Sequence, residues 1–543
     1  MKRRRTVFTV GLMALPTLFL LYFFVYPTAS ILQLGLAPGG SLDLQAFAEV
    51  ATSARLRSVA WFTVWQAAAS TLLTLLLAMP TAYVFARYDF AGKRLGRALI
   101  TVPFVLPTVV VGTAFLTLLG PGGPLGIDLE NTIWAILLAH VFFNFAVVVR
   151  TVGTLWERID PAIEDSARVL GAGRVRTFQR VTLPLLRPAI AAAASIIFLF
   201  TFTSFGVILI LGGLTNSTIE VEIWRQTTVF LDLPIAAALA IVQLVGVGVI
   251  LYLYGRQTRR RSVQFRMRPT TTTTRRPGTA AERVLVGSIL GFTALLLGLP
   301  LLVLVRESLR SAGSYGFGYY TALFENPTGS ALFIPPGRAL ANSLQFAVAA
   351  TTIALAIGLL AAAVVAYRKG PLTRGFDALL MLPLGTSAVT IGFGLLIALD
   401  VPFDLRTSIW LIPIAHSLVA IPFVVRTTAP LMQSVRTSLR EAAAVLGAPP
   451  ATAWRLIDLP IITRAALVGA AFAFAISLGE FGATAFLVRP VSGTMPTAIY
   501  RLLGVPGPSA FGQAMAMATI LMVVTAAAVM LIERLRIGHL GDF

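Results

Sequence analysis

Long apolar runs recur along the chain and are separated by short polar segments rich in Arg, Gly and Pro. A helix needs about 20 apolar residues to cross ~30 Å of hydrocarbon, so each run is long enough for one membrane-spanning helix. The predicted spans lie near residues 8–35, 58–86, 98–118, 132–152, 189–211, 234–254, 284–304, 340–366, 377–397, 408–428, 465–488 and 510–532. The pattern therefore predicts an all-α polytopic membrane protein with about 12 transmembrane helices.

The pattern repeats at a constant offset of 276 residues. The segment 164–185 aligns without a gap with the segment 440–461, and further pairs share this offset. They are Gly171 with Gly447, Pro184 with Pro460, His140 with His416, Arg150 with Arg426, Phe205-Gly206 with Phe481-Gly482, and Arg225 with Arg501. Each half has six predicted spans, an even number, so two tandem parallel six-helix repeats should share one orientation and be related by an axis along the membrane normal.

The repeated polar loop predicts a short helix that starts with a capping residue. In the first copy Asp160 precedes Pro161, which is typical of an N-cap followed by proline at the first helical position. In the second copy Ser438 stands three residues before Glu441, as in a capping box. Both loops are too polar to lie in lipid, so we expect them to be structured at the membrane surface.

Each of these helices should end at a glycine, Gly171 or Gly447, because a left-handed C-cap costs glycine no Cβ clash. A second short helix follows and carries one aromatic residue at a matched position, Phe178 or Trp454. A Leu-Pro pair is expected to end this second helix and to lead into the next apolar span. An aromatic residue at the same point in both copies favours contact with a partner protein over packing beneath the loop.

The second loop reads Glu-Ala-Ala, three residues, Gly, nine residues, and Ile-x-Leu-Pro. This pattern resembles the cytoplasmic loop of permease subunits in binding-protein-dependent ABC importers, which docks into a groove of the ATPase. The first copy departs from it at Asp165, Ser166 and Val181, which are conservative changes. The resemblance implies ATPase docking by Asp165, Ser166, Ala167, Gly171, Phe178, Pro184, Glu441, Ala442, Ala443, Gly447, Trp454 and Pro460.

The resemblance also implies the type I ABC importer transmembrane fold, in which the two halves are fused into one chain. The implied partners are two ABC ATPase subunits on the cytoplasmic side and an extracytoplasmic substrate-binding protein. Features such as Leu-Leu-Ala-His-Val-Phe-Phe-Asn in span four and Ser-Phe-Gly in span five resemble the thiamine permease, while fused ferric iron permeases are close relatives. Thiamine and ferric iron both stay open as substrates.

With 57% hydrophobic and only 12% charged residues, the composition excludes a soluble globular chain. The net charge of +20 could indicate nucleic-acid binding. If both termini are cytoplasmic, however, most of the 43 Lys and Arg fall on the cytoplasmic side, as the positive-inside rule requires. We therefore expect a multi-pass protein of the bacterial cytoplasmic membrane that binds no nucleic acid. The basic head and the apolar run 7–26 resemble a secretory signal, but the run is long and should be retained as an anchor.

These observations divide the chain into six segments. They are an N-terminal transmembrane helix and outer loop (1–57), a first ABC permease transmembrane domain (58–254), a linker (255–283), a seventh transmembrane helix and outer loop (284–339), a second ABC permease transmembrane domain (340–532) and a cytoplasmic tail (533–543). The linker holds nine arginines and five consecutive threonines, a composition that cannot form a packed core. We interpret it as a flexible cytoplasmic tether, with anionic-lipid contact as the alternative.

Polar residues inside spans are candidates for the substrate pathway, because a carboxyl group in the membrane is costly. Glu480 in span eleven is the strongest, and its counterpart in the first half is Ser204. Asn144 is a further candidate, while His140 and His416 are as consistent with hydrogen bonds between helices as with substrate contact. Glu220 and Glu222 are expected to be solvated at the outer surface, with binding-protein contact as the alternative.

The sequence contains no Walker nucleotide-binding loop, no cysteine and three histidines, one of which, His539, is in the tail. It therefore predicts no ATP site, no ordinary zinc site and no catalytic residue in this chain, with ATP hydrolysis left to a partner subunit, and it indicates no cofactor. The leading hypothesis is the permease subunit of an ABC importer. A twelve-helix secondary transporter with two parallel halves is the alternative, although it has no need of two matched docking loops.

Overall fold

The structure is a computed structural model that describes residues 2–259, 274–311, 313–325, 335–401, 404–434 and 437–537. Within these ranges ten helices are long and apolar enough to cross a membrane, and two further pairs of helices qualify together as bent spans. The prediction of an all-α polytopic membrane protein with about 12 transmembrane helices is confirmed. Most of the predicted linker (260–273) and the C-terminal residues with His539 lie outside the described residues.

In the described part of the first half there are thirteen α-helices, of which the longest form the membrane-spanning core. They are α1 Lys2–Leu20, α2 Tyr26–Leu36, α3 Gln45–Thr52, α4 Ala54–Arg87, α5 Lys93–Val105, α6 Thr108–Leu119, α7 Ile133–Arg158, α8 Pro161–Val169, α9 Arg174–Thr177, α10 Leu183–Phe202, α11 Gly206–Leu211, α12 Ile219–Thr228 and α13 Leu233–Arg259. One π-helical turn, Leu21–Val25, joins α1 to α2, and another, Phe178–Thr182, joins α9 to α10.

The second half has a similar order of helices. They are α14 Ala280–Leu309, α15 Gly318–Ala322, α16 Pro336–Tyr367, α17 Pro371–Met381, α18 Ala388–Ala398, α19 Leu411–Gln433, α20 Thr437–Val445, α21 Pro450–Ala453, α22 Leu459–Gly479, α23 Thr484–Leu487, α24 Met495–Leu503 and α25 Pro508–Ile537. A 3₁₀ turn, Leu382–Gly385, follows α17, and a π-helical turn, Trp454–Asp458, joins α21 to α22. Two short antiparallel strands, β1 Arg310–Ser311 and β2 Ser314–Tyr315, pair Arg310 with Tyr315.

The third and ninth predicted spans are not straight helices. The α5–α6 pair bends by 98°, and α17 with its 3₁₀ turn meets α18 at 100°. At the first bend Leu106 is extended, which is the conformation that the following Pro107 imposes on it. At the second, Ser387 is extended and its hydroxyl accepts the Thr390 amide at 3.0 Å, capping α18. Pro107 at the first bend and the Ser387 cap at the second therefore interrupt two apolar runs. From apolar length alone, each run was predicted to be a single helix.

The first helices of the two halves are exchanged, so that each packs against the other half. A Cβ atom at Gly394 of α18 would lie 3.1 Å from the Cβ of Pro27 in α2, so glycine permits this close approach. On the opposite side, the hydroxyls of Thr81 in α4 and Thr293 in α14 share a hydrogen bond of 2.8 Å. The two halves are therefore interlocked and do not simply lie side by side.

The end of the predicted linker is held against the first half. The Arg275 amide donates to the Arg87 carbonyl at 3.1 Å, and the Asp89 amide donates to the Arg275 carbonyl at 2.9 Å. The Arg275 guanidinium also lies 5.5 Å from the centre of the Tyr88 ring. The residues just before α14 are thus attached to the loop after α4, whereas the sequence predicted a free tether up to residue 283.

Candidate docking loops and central chamber

Two helix breaks meet where the halves touch. A short break separates α10 from α11, and another at the matched position separates α22 from α23. Phe205 and Phe481, one in each break, have ring centroids 5.3 Å apart. The predicted spans 189–211 and 465–488 are therefore interrupted, and the interruptions place irregular backbone at the interface between the halves, where it is shielded from lipid.

Two more aromatic residues complete this contact. Trp224 and Tyr500 are also related by the offset of 276, and their rings lie 6.0 Å apart. Trp224 contacts Phe205 at 6.4 Å, and Tyr500 contacts Phe481 at 5.8 Å. We call these four residues the aromatic cluster. Because each half supplies two of them, any passage between the halves at this level requires the rings to separate.

A cavity of about 210 Å³, here called the central chamber, adjoins the aromatic cluster. Its walls come from both halves, and its polar lining consists of Thr108, His140, Asn144, Thr203, Ser204, Glu220 and Glu480. Four of the five residues predicted for the substrate pathway are thus brought together. His416 is not among the lining residues.

Each buried histidine links helices through both of its ring nitrogens. His140 Nδ1 lies 2.9 Å from Ser70 Oγ, and its Nε2 lies 2.9 Å from Ser204 Oγ. His416 Nδ1 lies 2.7 Å from Ser477 Oγ, and its Nε2 lies 2.8 Å from the Thr484 hydroxyl. With both nitrogens occupied, the geometry favours the hydrogen-bonding interpretation over direct substrate contact.

Glu220 and Glu222 on α12 are not solvated, so that expectation was wrong. Both are fully buried. Glu222 forms an ion pair with Arg55 at 3.3 Å and accepts from Gln226 at 2.8 Å. Glu220 lines the central chamber and accepts hydrogen bonds from Gln243 Nε2 and from the hydroxyl of Ser387, the latter at 3.1 Å. The two donors of Glu220 lie outside α12, Gln243 on α13 and Ser387 at the N-cap of α18, so they could not be recognised from the residues around Glu220.

Glu480 accepts backbone N–H groups of the turn that follows it, whereas Asn144 is only partly satisfied by the protein. Glu480 follows the last residue of α22, and its Oε1 accepts the Ala483 amide at 3.1 Å. Asn144 is 1% exposed and donates its Nδ2 to the His140 carbonyl at 3.0 Å, but its buried Oδ1 has no hydrogen-bond partner. The chamber therefore holds acceptor capacity that the protein itself does not use.

Three of the four predicted helix ends of the docking loops are found, whereas Ser438, the predicted cap of the second copy, lies inside α20. Asp160 Oδ1 accepts the Ala162 amide at 3.0 Å and caps α8. Gly171 and Gly447 follow α8 and α20 with φ of 86° and 78°, the left-handed conformation expected for C-cap glycines. The predicted N-cap of the first copy and both glycine caps are confirmed.

Both loops present the same exposed apolar pair just before the glycine. Val169 and Leu170 are 87% and 88% exposed, and the residues at the matched positions, Val445 and Leu446, are 87% and 86% exposed. Such exposure at the same point of two copies indicates a surface that a partner protein covers. This pair was not predicted from the sequence, although the repeated Val-Leu-Gly was a signal for it.

The twelve predicted docking residues lie together in two groups, one per loop. Those exposed at the surface are Asp165, Ser166, Gly171, Glu441, Ala442, Gly447, Trp454 and Pro460, and those half-buried are Ala167, Phe178, Pro184 and Ala443. The matched aromatics differ, because Phe178 packs 6.0 Å from the Trp156 ring whereas Trp454 is 51% exposed. The first copy thus packs its ring beneath the loop, and the second leaves its ring half exposed.

In the first loop, a buried ion pair joins α8 to α4, and a hydrogen bond joins α8 to the π-helical turn that leads into α10. Arg87 Nη2 donates to Glu164 Oε1 at 2.8 Å, and the Thr182 hydroxyl donates to the same oxygen at 2.8 Å. Arg87 Nη1 also donates to the Ile159 carbonyl at 2.9 Å. We call this set the first brace.

The second loop is braced at the same two positions with different chemistry. Arg440 and Asp458, which correspond to Glu164 and Thr182 by the offset of 276, form an ion pair whose Nε–Oδ2 distance is 3.1 Å. This carboxylate raises the pKa of the Arg440 guanidinium, which also lies 5.3 Å from the centre of the Tyr367 ring. Both copies therefore attach the docking helix to the following span.

The Leu-Pro pairs do not end the second short helices. Pro184 and Pro460 lie in the first turn of α10 and α22, where a missing N–H is tolerated. The preceding π-helical turns carry the helix without interruption from the loop into the span, and 174–202 and 450–479 each form one continuous helix. Each docking loop is thus connected by one helix to the break beside the central chamber.

Two tandem helical halves, interlocked in a membrane and carrying paired surface loops, define a fused permease of a transport system. The chain belongs to the family described as binding-protein-dependent transport system inner membrane component, whose model matches residues 75–263 and 354–537. The resemblance seen in the docking loops is confirmed, and the protein is an integral multi-pass membrane transport subunit.

Several curated proteins are similar to the chain. A probable ABC transporter permease protein, y4fN of Sinorhizobium fredii, is 25% identical over 96% of this chain and 95% of its own. The thiamine transport system permease protein ThiP of Brucella abortus is 29% identical over 86% of this chain and 85% of its own. A probable molybdenum ABC transporter permease protein of Haloferax volcanii is 34% identical over 34% of this chain and 70% of its own.

Proposed function

We propose that the chain is the permease subunit of an ABC importer that receives a small substrate from an extracytoplasmic binding protein. Two ATPase subunits dock on the loops formed by α8 and α20 and supply the energy. The observation that carries this proposal is the matched exposed pair Val169-Leu170 and Val445-Leu446, each followed by a left-handed glycine. The proposed topology has both termini in the cytoplasm, so that both loops lie on the cytoplasmic side with the ATPases.

The continuous helices explain how docking would reach the substrate. Movement of α8 is transmitted through the first brace to α10, which ends at the break containing Phe205. Movement of α20 is transmitted through Arg440 and Asp458 to α22, which ends next to Phe481. When the ATPases bring the loops together, the two helices tilt and the aromatic cluster opens or closes. This is alternating access between two discrete packings.

The proposed domain organisation follows the sequence boundaries. Residues 58–254 and 340–532 form the two permease domains, and the segments 1–57 and 284–339 add the exchanged first helices. Since these first helices clamp the opposite halves, they keep the two domains in one complex while the central chamber between them changes shape.

A thiamine-type substrate is the better supported of the two predicted from the sequence. The relative named for thiamine transport aligns with 86% of this chain, and so with both halves. A ferric ion binds to several hard oxygen ligands. Within the described ranges no group of three or more His, Asp or Glu side chains is placed to hold a metal ion. We therefore favour an organic substrate over iron.

The test is association with the cognate ATPase and ATP-dependent uptake in reconstituted vesicles. Leu170→Glu with Leu446→Glu places charge on the exposed pair of both loops, and we expect it to abolish ATPase binding and uptake without unfolding the chain. Leu214→Glu is the matched control, because Leu214 is 90% exposed outside the docking loops. Replacing Asp165 and Glu441 by arginine should have the same effect as the leucine changes. Uptake that continues without the ATPase would instead indicate a secondary transporter.

A further inference from the structure

The central chamber is lined by two acidic residues and by neither lysine nor arginine. Glu220 of the first half and Glu480 of the second both line it, and no Lys or Arg does. Among the ion pairs within the described part of the chain, none involves either residue. Their donors are neutral: an amide and a hydroxyl for Glu220, and the backbone N–H groups of Phe481, Gly482 and Ala483 for Glu480. The chamber is therefore suited to a positive charge that the protein does not supply.

A third acceptor in the chamber is independent evidence that the chamber suits a positively charged ligand. Asn144 lines the chamber and is 1% exposed, yet its Oδ1 accepts no hydrogen bond. A buried carbonyl oxygen without a donor costs about 1–3 kcal/mol, so a ligand N–H or cationic group that approaches it recovers this loss. Phe143, Phe200, Phe205 and Phe481 also line the chamber, and aromatic faces attract organic cations.

The acidic pair does not come from the duplication. At the offset of 276, the counterpart of Glu220 is Pro496 and that of Glu480 is Ser204. The histidines, the aromatic cluster and the docking-loop glycines, in contrast, occur in both halves. Two carboxyl groups at positions where the halves differ, both lining one cavity, indicate a common role there.

We propose that the central chamber binds the cationic nitrogen group of the transported substrate, with Glu220 and Glu480 as its counter-charges and Asn144 Oδ1 as a further acceptor. The substrate class is a small organic monocation. Since about 210 Å³ is less than the ~300–1,000 Å³ of typical ligand pockets, the chamber holds the charged ring or ammonium group and not the whole molecule. The proposal rests on the proposed import function, whose pathway runs between the halves.

The test is equilibrium binding to the purified full chain in lipid nanodiscs, without ATPase or binding protein. Three probes are titrated: thiamine, tetramethylammonium and sulfate. We expect thiamine and tetramethylammonium to bind saturably and to compete with each other, and sulfate not to bind. Glu220→Gln and Glu480→Gln should each weaken cation binding about tenfold or more, since each removes one charge-assisted contact. Glu222→Gln is the matched control, because Glu222 is equally buried on the same helix but pairs with Arg55.

A variant that binds the cation more tightly shows that the effects of the substitutions on affinity do not come from misfolding. Asn144→Asp adds a third carboxyl group to the chamber, and we expect it to tighten tetramethylammonium binding. Unchanged affinity in both glutamine variants, binding of sulfate, or no cation binding by the wild-type chain at millimolar concentration would each overturn the proposal. ATP-dependent uptake of an anion would likewise overturn it while leaving the importer function intact, whereas failure to associate with an ATPase would reject the importer function alone.

Discussion

Removing Arg87 should release the first docking loop while leaving the second one intact. The Arg87 and Glu164 side chains are only 8% and 13% exposed, so water screens their ion pair weakly. Arg87→Ala leaves the Glu164 carboxylate with the Thr182 hydroxyl and a 4.0 Å contact to the half-exposed Arg168, and it leaves the Ile159 carbonyl without its donor. Breaking a buried ion pair costs about 3–5 kcal/mol. We expect most of this cost to appear as local opening of α8, because the pair joins α8 to α4 and α10.

Hydrogen–deuterium exchange of the reconstituted chain measures this opening. A cost of about 3 kcal/mol corresponds to a roughly hundredfold larger open population, and hence to faster exchange of the α8 amides. The α20 amides serve as a control within the same sample. The residue that corresponds to Arg87 in the second half is Ala363, and Arg440 pairs with Asp458 without it. Uptake and ATPase stimulation should fall together with the loss of α8 protection.

Transferring the matched residues of the second loop into the first loop tests whether the ion pair is what protects α8 from exchange. Glu164→Arg alone places two guanidinium groups together and should open α8 further. The triple variant Arg87→Ala, Glu164→Arg, Thr182→Asp reproduces the residues found at all three positions of the second half, and we expect it to restore protection of α8. If Arg87→Ala left the α8 exchange unchanged, or altered α20 equally, the reasoning that each loop is held by its own ion pair would be refuted.

Three further changes test other parts of the structure. A Cβ atom added by Gly171→Ala or Gly447→Ala would meet no atom within 4 Å, so the only cost is that of placing alanine in the left-handed conformation, about 1–2 kcal/mol. We expect faster hydrogen exchange in the loop and no change in the melting temperature of the whole chain. Phe481→Ala removes the ring that contacts Phe205 and should make vesicles leak substrate without ATP; tight vesicles would contradict a gate there. His416→Ala removes two buried hydrogen bonds and should destabilise the chain by about 2–3 kcal/mol in thermal unfolding, and an unchanged melting temperature would contradict this.

Apolar length and a constant offset were enough to predict the class of fold. The number of spans, the tandem repeat and the glycine caps depend on runs and spacings that are local in sequence. Gly171 and Gly447 illustrate this, because a small-residue helix followed by glycine predicts its own left-handed end. Such features need no knowledge of which helices pack together.

Features that depend on distant partners could not be predicted. Glu220 was expected to be solvated because its hydrogen-bond donors cannot be recognised from the sequence. Gln243 and Ser387 lie in other segments, which come close to Glu220 only in the folded structure. The first brace was missed for the same reason, since Arg87 and Glu164 are 77 residues apart. Apolar length also could not reveal the bend at Pro107, because hydropathy does not record a change of helix direction.

The two halves match where they must move together and differ where they meet one substrate. Docking glycines, exposed Val-Leu pairs and aromatic rings occur twice, as the proposed importer requires, because in it two ATPases act on two loops about one axis. An asymmetric small molecule on that axis cannot contact both halves equally, so a polar contact is useful only once. Glu480 opposite Ser204 and Asn144 opposite Ala420 follow this logic. Substrate-recognition residues in a fused permease should therefore be sought at matched positions where the two halves carry different residues.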